Sequence, residues 1–223
     1  MQKNDFEKYA LFVPMDGKIA TNWQKIFDEN ILKDFLNKNK KLEDIKVLDY
    51  GCGDGKYFDF FSNFFKKENI YGIEVSKLRI EKCKEKGWNK VFFMKDKEIL
   101  PFEDEYFDFI NCDQVIEHIY KEDIDFYLEE IKRVLKKDGI AFFVTPNYPI
   151  KRLYDFVSVL KNVNFKKIFD DPTHVNFYSF KSIKKEMDKF FYYIKLVPTG
   201  GLFFNLFKRD FFSHKIFIIT KKK

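Results

Sequence analysis

The stretch "VLDYGCGDG", Val47 to Gly55, decides how the rest of the chain is read. Val47, Leu48 and Tyr50 form a short apolar run that stops at glycines 51, 53 and 55. This is the layout of a strand entering a turn whose backbone comes close to a nucleotide. Asp49 stands just ahead of those glycines, where its charge repels a phosphate and attracts a cation.

Outward from that turn, apolar strands and amphipathic helices alternate. Strands are expected over Lys46–Tyr50, Ile70–Glu74, Lys90–Phe93, Phe107–Asn111 and Ile140–Thr145, and helices over Lys56–Phe65, Lys77–Lys86 and Lys121–Leu135. The last helix runs into "KKDG", whose Gly139 suits a helix C-cap. Such alternation implies a parallel sheet covered on both faces. An opening helix is expected around Thr21–Asn39, where Trp23, Ile26, Phe27, Ile31, Phe35 and Leu36 recur near helical spacing. The tail breaks the rhythm: a helix near Phe180–Lys189 is followed by strands near Tyr192–Val197 and His214–Thr220 with no helix between them, which predicts an antiparallel hairpin.

A dinucleotide turn reads GxGxxG, with its third glycine at position 56, but that residue is Lys56 and the glycine falls at 55. Spacing and charge both argue against NAD. S-adenosylmethionine has no phosphate and carries an ammonium and a sulfonium, the kind of guest Asp49 would stabilise. Glu74 closes "IYGIEVS" at the end of the second strand, where an acid can accept from both hydroxyls of a ribose. Asp96 follows the third strand and is positioned to accept from an adenine amino group. "FDFINCDQVIEHI" follows next, so the set lies at the carboxyl ends of successive strands, where open α/β sheets bind ligands.

Taken together, "VLDYGCGDG", "IYGIEVS", Asp96, "LPFEDEYFDFINCDQVIEHI" and "VLKKDGIAFFVTPN" resemble the class I S-adenosylmethionine-dependent methyltransferases over roughly residues 45–147. The resemblance implies a Rossmann-like three-layer α/β sandwich with a seven-stranded, mostly parallel sheet in the order 3-2-1-4-5-7-6, strand seven antiparallel. It also implies S-adenosylmethionine as the methyl donor and S-adenosylhomocysteine as its product. By position, Asp49, Gly51 and Gly53 would contact the methionine part, Glu74 the ribose and Asp96 the adenine. Cys112 and Asp113 would line the same pocket, and Cys52 and Val75, inside the turn and beside Glu74, complete the donor set.

Methyl transfer from a sulfonium needs alignment and, for a hydroxyl acceptor, removal of a proton. The sequence after the fourth strand is "NCDQ" rather than the NPPY or DPPY of amino methyltransferases, which makes an oxygen acceptor the default. His174, in "DDPTHVNFYSF", is the preferred base, flanked by Asp170, Asp171, Asn176 and Tyr178; the alternative is a loop histidine capping the helix that starts near Ser179. His118 and Asp113 are further catalytic candidates, and His118 also suits a structural role in the turn after strand four. "DPTHVNFYSFKSIKKEM" resembles a segment of small-molecule O-methyltransferases, including ones acting on sugars of surface polysaccharides. A helix over Ile150–Val163, with Lys151, Arg152 and Lys161 on its outer side, could meet the phosphates of a sugar nucleotide. The loop "GGLFFNLFKRDFF", Gly200–Phe212, instead suits peripheral membrane contact and a lipid or quinone-like acceptor. RNA- or protein-directed methylation, and adenosyl binding without catalysis, are the remaining alternatives.

The expected organisation is a single domain over residues 1–223, with a helical extension at 1–44 and an insertion or lid at about 147–179. The net charge of +6 is spread along the chain and balanced by 35 acids, which disfavours nucleic acid. No apolar run approaches the roughly 20 residues of a membrane span, and the charged opening lacks a signal-peptide core, so a cytoplasmic location is expected. Cys52, Cys83 and Cys112 have no CxxC or Cys/His spacing, so neither a disulfide framework nor a metal is expected. Thirty phenylalanines have no functional reading at this level.

Overall fold

The computed structural model describes residues 18–148, 150–152, 173–198 and 213–223. The expected insertion at 147–179 and the first part of the N-terminal extension therefore lie largely outside the described residues, as do Asp170, Asp171 and the loop Gly200–Phe212. The helix expected over Ile150–Val163 is described only at 150–152.

Seven strands form one sheet in the order β3-β2-β1-β4-β5-β7-β6. They are β1 Val47–Tyr50, β2 Ile70–Glu74, β3 Val91–Phe93, β4 Phe107–Asp113, β5 Leu135–Pro146, β6 Phe191–Pro198 and β7 Lys215–Lys222. β1 pairs in parallel with β2 and β4, and β5 in parallel with β4. β7 runs antiparallel to both β5 and β6, as the helix-free tail predicts. All four residues of β1 and all five of β2 are buried, as central strands covered on both faces require.

Two buried clusters show what covers those faces. On one side α5 (Ile124–Val134) and α6 (Phe180–Met187) place Leu128, Ile131, Ile183 and Met187 against Leu48, Ile110 and Phe143. On the other, α1 (Thr21–Phe27) and α2 (Lys33–Asn37), joined by a wider helical turn at Asp28–Leu32, bury Trp23, Phe27, Ile31 and Phe35 against Phe109 and Phe142. Leu36, expected on the same face, is exposed. The phenylalanines acquire a packing role here. Phe27 lies within 6 Å of Phe60, Phe61 and Phe109, ring centroid to centroid. Each buried ring contributes about 1.5–3 kcal/mol by leaving water, and each aromatic pair about 0.5–1.5 kcal/mol more.

Two sequence expectations are corrected. The helix expected over Lys56–Phe65 shrinks to α3, Phe58–Phe61, flanked by turns, because the glycine turn runs on through Tyr57. Gly139 does not cap a helix: α5 ends at Val134, Leu135 is already extended, and β5 begins there. The pairing jumps from Phe107↔Leu135 to Phe109↔Ile140, so the polar "KKDG" is an irregularity inside the strand. Lys136 there pairs with buried Asp108 at 2.7 Å. α4, Lys77–Glu85, agrees with expectation and is capped by Ser76, which accepts from the Arg79 N–H.

Candidate active site

The glycine turn is built by backbone conformation. Gly51, Gly53 and Gly55 have φ of 75°, 56° and 79°, a region that side chains avoid. A Cβ on Gly51 would stand 2.4 Å from Val115 Cγ2, so the loop after β4 rests directly on the turn. Asp54 is buried and ties the turn to α4 through Arg79 at 3.3 Å and Lys82 at 3.2 Å. Cys52 is buried in the turn, its thiol pushed well above the usual range by burial. Cys83, also a free thiol, donates to the Gly53 carbonyl at 3.3 Å.

Three carboxylates converge on this turn. Asp49 is buried at the middle of the sheet; its Oδ1 accepts from Asn111 Nδ2 at 2.7 Å, and its Oδ2 has no hydrogen-bond partner. Burial pushes its pKa up to about 7, with the Asn111 bond opposing and the negative charge of Asp113 adding to the rise. Glu74 folds onto the backbone, accepting from Gly53 N at 2.8 Å, Val75 N at 2.9 Å and Ser76 N at 3.0 Å. Burial raises its pKa while those N–H bonds oppose the rise. Three bonds leave part of the capacity of two carboxylate oxygens for a hydroxyl donor. Asp113, at the end of β4, accepts from the Tyr57 hydroxyl at 2.6 Å and from Lys56 at 3.4 Å.

The remaining donor-side candidates lie on neighbouring strands. Cys112 is buried next to Asp113, its thiol raised by burial. Val75 is half-buried at the end of β2. Asp96 is exposed after β3 and accepts a short hydrogen bond from the Tyr127 hydroxyl. The orphaned Asp49 Oδ2, buried in β1 just ahead of the positive-φ glycines, fits a cationic, phosphate-free adenosyl donor; the residues expected to hold it would be Asp49, Gly51 and Gly53 for its methionine part and Glu74 for its ribose.

The second half of the site grows from the end of β4. Gln114 adopts a φ of 58°, unusual for a residue with a side chain, and turns the chain into a short helical turn at Ile116–His118. The segment 173–176 returns to this turn: Val175 N and Asn176 N both donate to the Glu117 carbonyl, at 2.9 and 3.0 Å, and Asn176 Nδ2 donates to the Ile119 carbonyl at 2.7 Å. His118 and His174 are thereby brought together with ring centroids 4.8 Å apart. His118 Nδ1 lies 2.8 Å from Thr173 Oγ1, and His174 Nδ1 lies 2.8 Å from the Tyr148 hydroxyl. Ser179 caps α6 in a reciprocal box with Ser182, so His174 is not that helix's cap. Tyr178 is buried, and His214 stands just before β7.

Sequence reasoning missed two residues of this half. Tyr148 is 26 positions from the histidine it orients, and nothing local marks it. Glu117 sits inside the quoted "VIEHI"; it is fully buried, neither carboxylate oxygen has a hydrogen-bond partner, and burial pushes its pKa up to about 8.

The chain is similar to known proteins. A family profile described as "Methyltransferase domain" matches residues 48–143. The chain is 34% identical over 128 residues to a ubiquinone biosynthesis O-methyltransferase of Pelagibacter ubique, an alignment covering 55% of this chain and 52% of that protein. It therefore spans about half the length of that relative. An uncharacterized protein of Methanocaldococcus jannaschii is 31% identical over 188 residues, covering 77% of this chain and 86% of the relative. Among solved structures, a SAM-dependent methyltransferase from Archaeoglobus fulgidus shares the fold, with a TM-score of 0.60 at 16% identity over 91% of this chain and all of the other.

Proposed function

We propose that this chain, which belongs to the class I S-adenosylmethionine-dependent methyltransferases, methylates a hydroxyl oxygen of a small molecule. Bound S-adenosylmethionine supplies the methyl group on a sulfonium and leaves as S-adenosylhomocysteine. The observation carrying the acceptor half of the reading is the His118–His174 pair. It stands on the loop whose Val115 packs against Gly51, hence beside the donor turn. Amine methylation needs no fixed base of this kind once the amine is neutral, whereas a hydroxyl must lose its proton as the new bond forms. Tyr148 and Thr173 fix the two imidazole planes, and Asp113 stays on the donor side with Tyr57 and Lys56.

Two acceptor classes remain to be told apart. A sugar or sugar nucleotide is the expectation from the 173–187 segment, with Lys151 and Arg152 toward its phosphates. A phenol of the quinone-precursor type is favoured by the names of the O-methyltransferase relatives, among them a second ubiquinone biosynthesis enzyme, of Chelativorans, at 30% identity over 118 residues. A phenol, with a pKa near 10 as in tyrosine, yields its proton to imidazole far more readily than an aliphatic alcohol. Among the described residues no helix is long and apolar enough to cross a membrane.

The test is methyl transfer from labelled S-adenosylmethionine to a panel of dihydroxyphenols, sugars, sugar nucleotides and amines. A hydroxyl product is expected, and His174→Ala should lower turnover by about 10²–10⁴ while leaving donor affinity within about twofold. Methylation of amines alone, or full turnover by the variant, would overturn the reading.

A further inference from the structure

Glu117 carries a fully buried carboxylate with no hydrogen-bond partner on either oxygen. An arrangement of that kind is costly unless something compensates the acid. Its oxygen and the ring nitrogens of His118 and His174 all lie within 4.8 Å of one another. We propose that Glu117, His118 and His174 form a binding site for a divalent transition-metal cation on the acceptor side of the pocket.

The ligand set decides the class of ion. Two imidazoles and one carboxylate suit zinc, manganese, iron or cobalt, whereas calcium and magnesium take oxygen-rich shells. Three protein ligands leave positions open, the pattern of a working rather than a purely structural centre. The outer partners fit as well. His118 Nδ1 stands 3.2 Å from the Thr173 carbonyl, and His174 Nδ1 stands 2.8 Å from the Tyr148 hydroxyl. With the proton on Nδ1 and donated to those oxygens, the lone pair sits on Nε2, the tautomer that ligates metals.

The chain also holds the distant ligand in place. The backbone bonds of Val175 and Asn176 to Glu117 lock the His174 segment onto the Glu117–His118 turn before any ion arrives. Bonds of about 2.1 Å at tetrahedral angles set ligand atoms about 3.4 Å apart, inside the 4.8 Å that now contains them, so the side chains draw together on loading. The open positions suit neighbouring oxygens of a hydroxylated acceptor, a consequence that rests on the O-methylation reading, whereas the cation site itself does not. With the ion bound, Nδ1 and Nε2 of both imidazoles would be engaged, so the cation would take over from His174 the release of the acceptor's proton.

The experiment strips the full chain with a chelator and titrates it with Co²⁺, followed by its visible ligand-field bands, with Zn²⁺ as competitor. One equivalent should bind and give the bands of nitrogen- and carboxylate-bound cobalt. Glu117→Gln and His118→Ala should each weaken binding by about 100-fold, and Tyr148→Phe by about tenfold, since outer partners tune affinity by 10–100-fold. S-adenosylhomocysteine binding by the same variants checks that they fold; should Glu117→Gln fail there, half-buried His118 carries the test. No cobalt binding tighter than about 1 mM, or binding unchanged in the variants, would overturn the site. Cobalt binding without hydroxyl methylation would sink the acceptor assignment alone. Hydroxyl methylation untouched by chelation, without cobalt binding, would sink the metal alone.

Discussion

The donor half and the acceptor half of the site are assembled in different ways. Around Gly51–Gly55 the decisive features are local: three glycines at positive φ, a strand that delivers Asp49, and Glu74 gathering N–H groups from two turns within hydrogen-bond reach. Around His118 and His174 the partners are 56 residues apart and meet through backbone bonds to Glu117 and through Tyr148, two residues past the end of β5. The donor half is thus the carboxyl end of the sheet's central strands and cannot move without the core, whereas the acceptor half is a docked segment. Damage on the two sides should therefore differ in kind: loss of fold and donor together on one, loss of turnover with donor binding intact on the other.

The largest break is expected at Gly51. Gly51→Ala places a methyl 2.4 Å from Val115 Cγ2 at a φ of 75°, and overpacking with left-handed strain should cost about 2–4 kcal/mol. Thermal unfolding should show that loss, with donor binding lost alongside it. Next comes the pH dependence of stability set by Asp49. Its pKa is raised to about 7 in the folded chain against about 3.9 unfolded, so its contribution is fully present below about pH 4 and is lost as pH rises through 7. Denaturation followed between pH 4 and 8 should lose a few kcal/mol from this group, and Asp49→Asn should remove that part of the slope while leaving the part due to Glu117 and Glu74, whose pKa values burial also raises.

Smaller effects sharpen the contrast from the acceptor side. Tyr148→Phe removes the hydroxyl 2.8 Å from His174 and should reduce turnover by about tenfold, at the low end of what a group positioning a base is worth, with no change in donor affinity by calorimetry. Ser179→Ala breaks the capping box of α6 and should cost about 1 kcal/mol of stability, with turnover per folded molecule unaltered.

The same contrast explains what the chain discloses before it is folded. β1, β2 and the turn between β1 and α3 were legible because hydrophobic runs, glycines and acids lie within a few residues of each other. The 3-2-1-4-5-7-6 order followed from the family resemblance and the helix-free tail. The start of β5 was not legible: "KKDG" reads as a stop, yet Lys136 anchors to Asp108 and the strand carries the irregularity. Leu36 has the right helical spacing but falls past the wider turn at Asp28–Leu32, which rotates it outward. Glu117 and Tyr148 escaped for a tertiary reason, because their significance depends on burial and on a partner far along the chain.

The most direct test of the account concerns Asp49, whose unpartnered, buried oxygen is assigned to the cationic methionine end of the donor. Calorimetric titration of S-adenosylmethionine into the protein at pH 6 and pH 8 measures it, with Asp49→Asn alongside. A cation binds the ionised acid, so affinity should rise by about tenfold across the pKa near 7, and Asp49→Asn should bind weakly and without that rise. Equal affinity at both pH values, unchanged by the substitution, would contradict the placement of the donor on this turn.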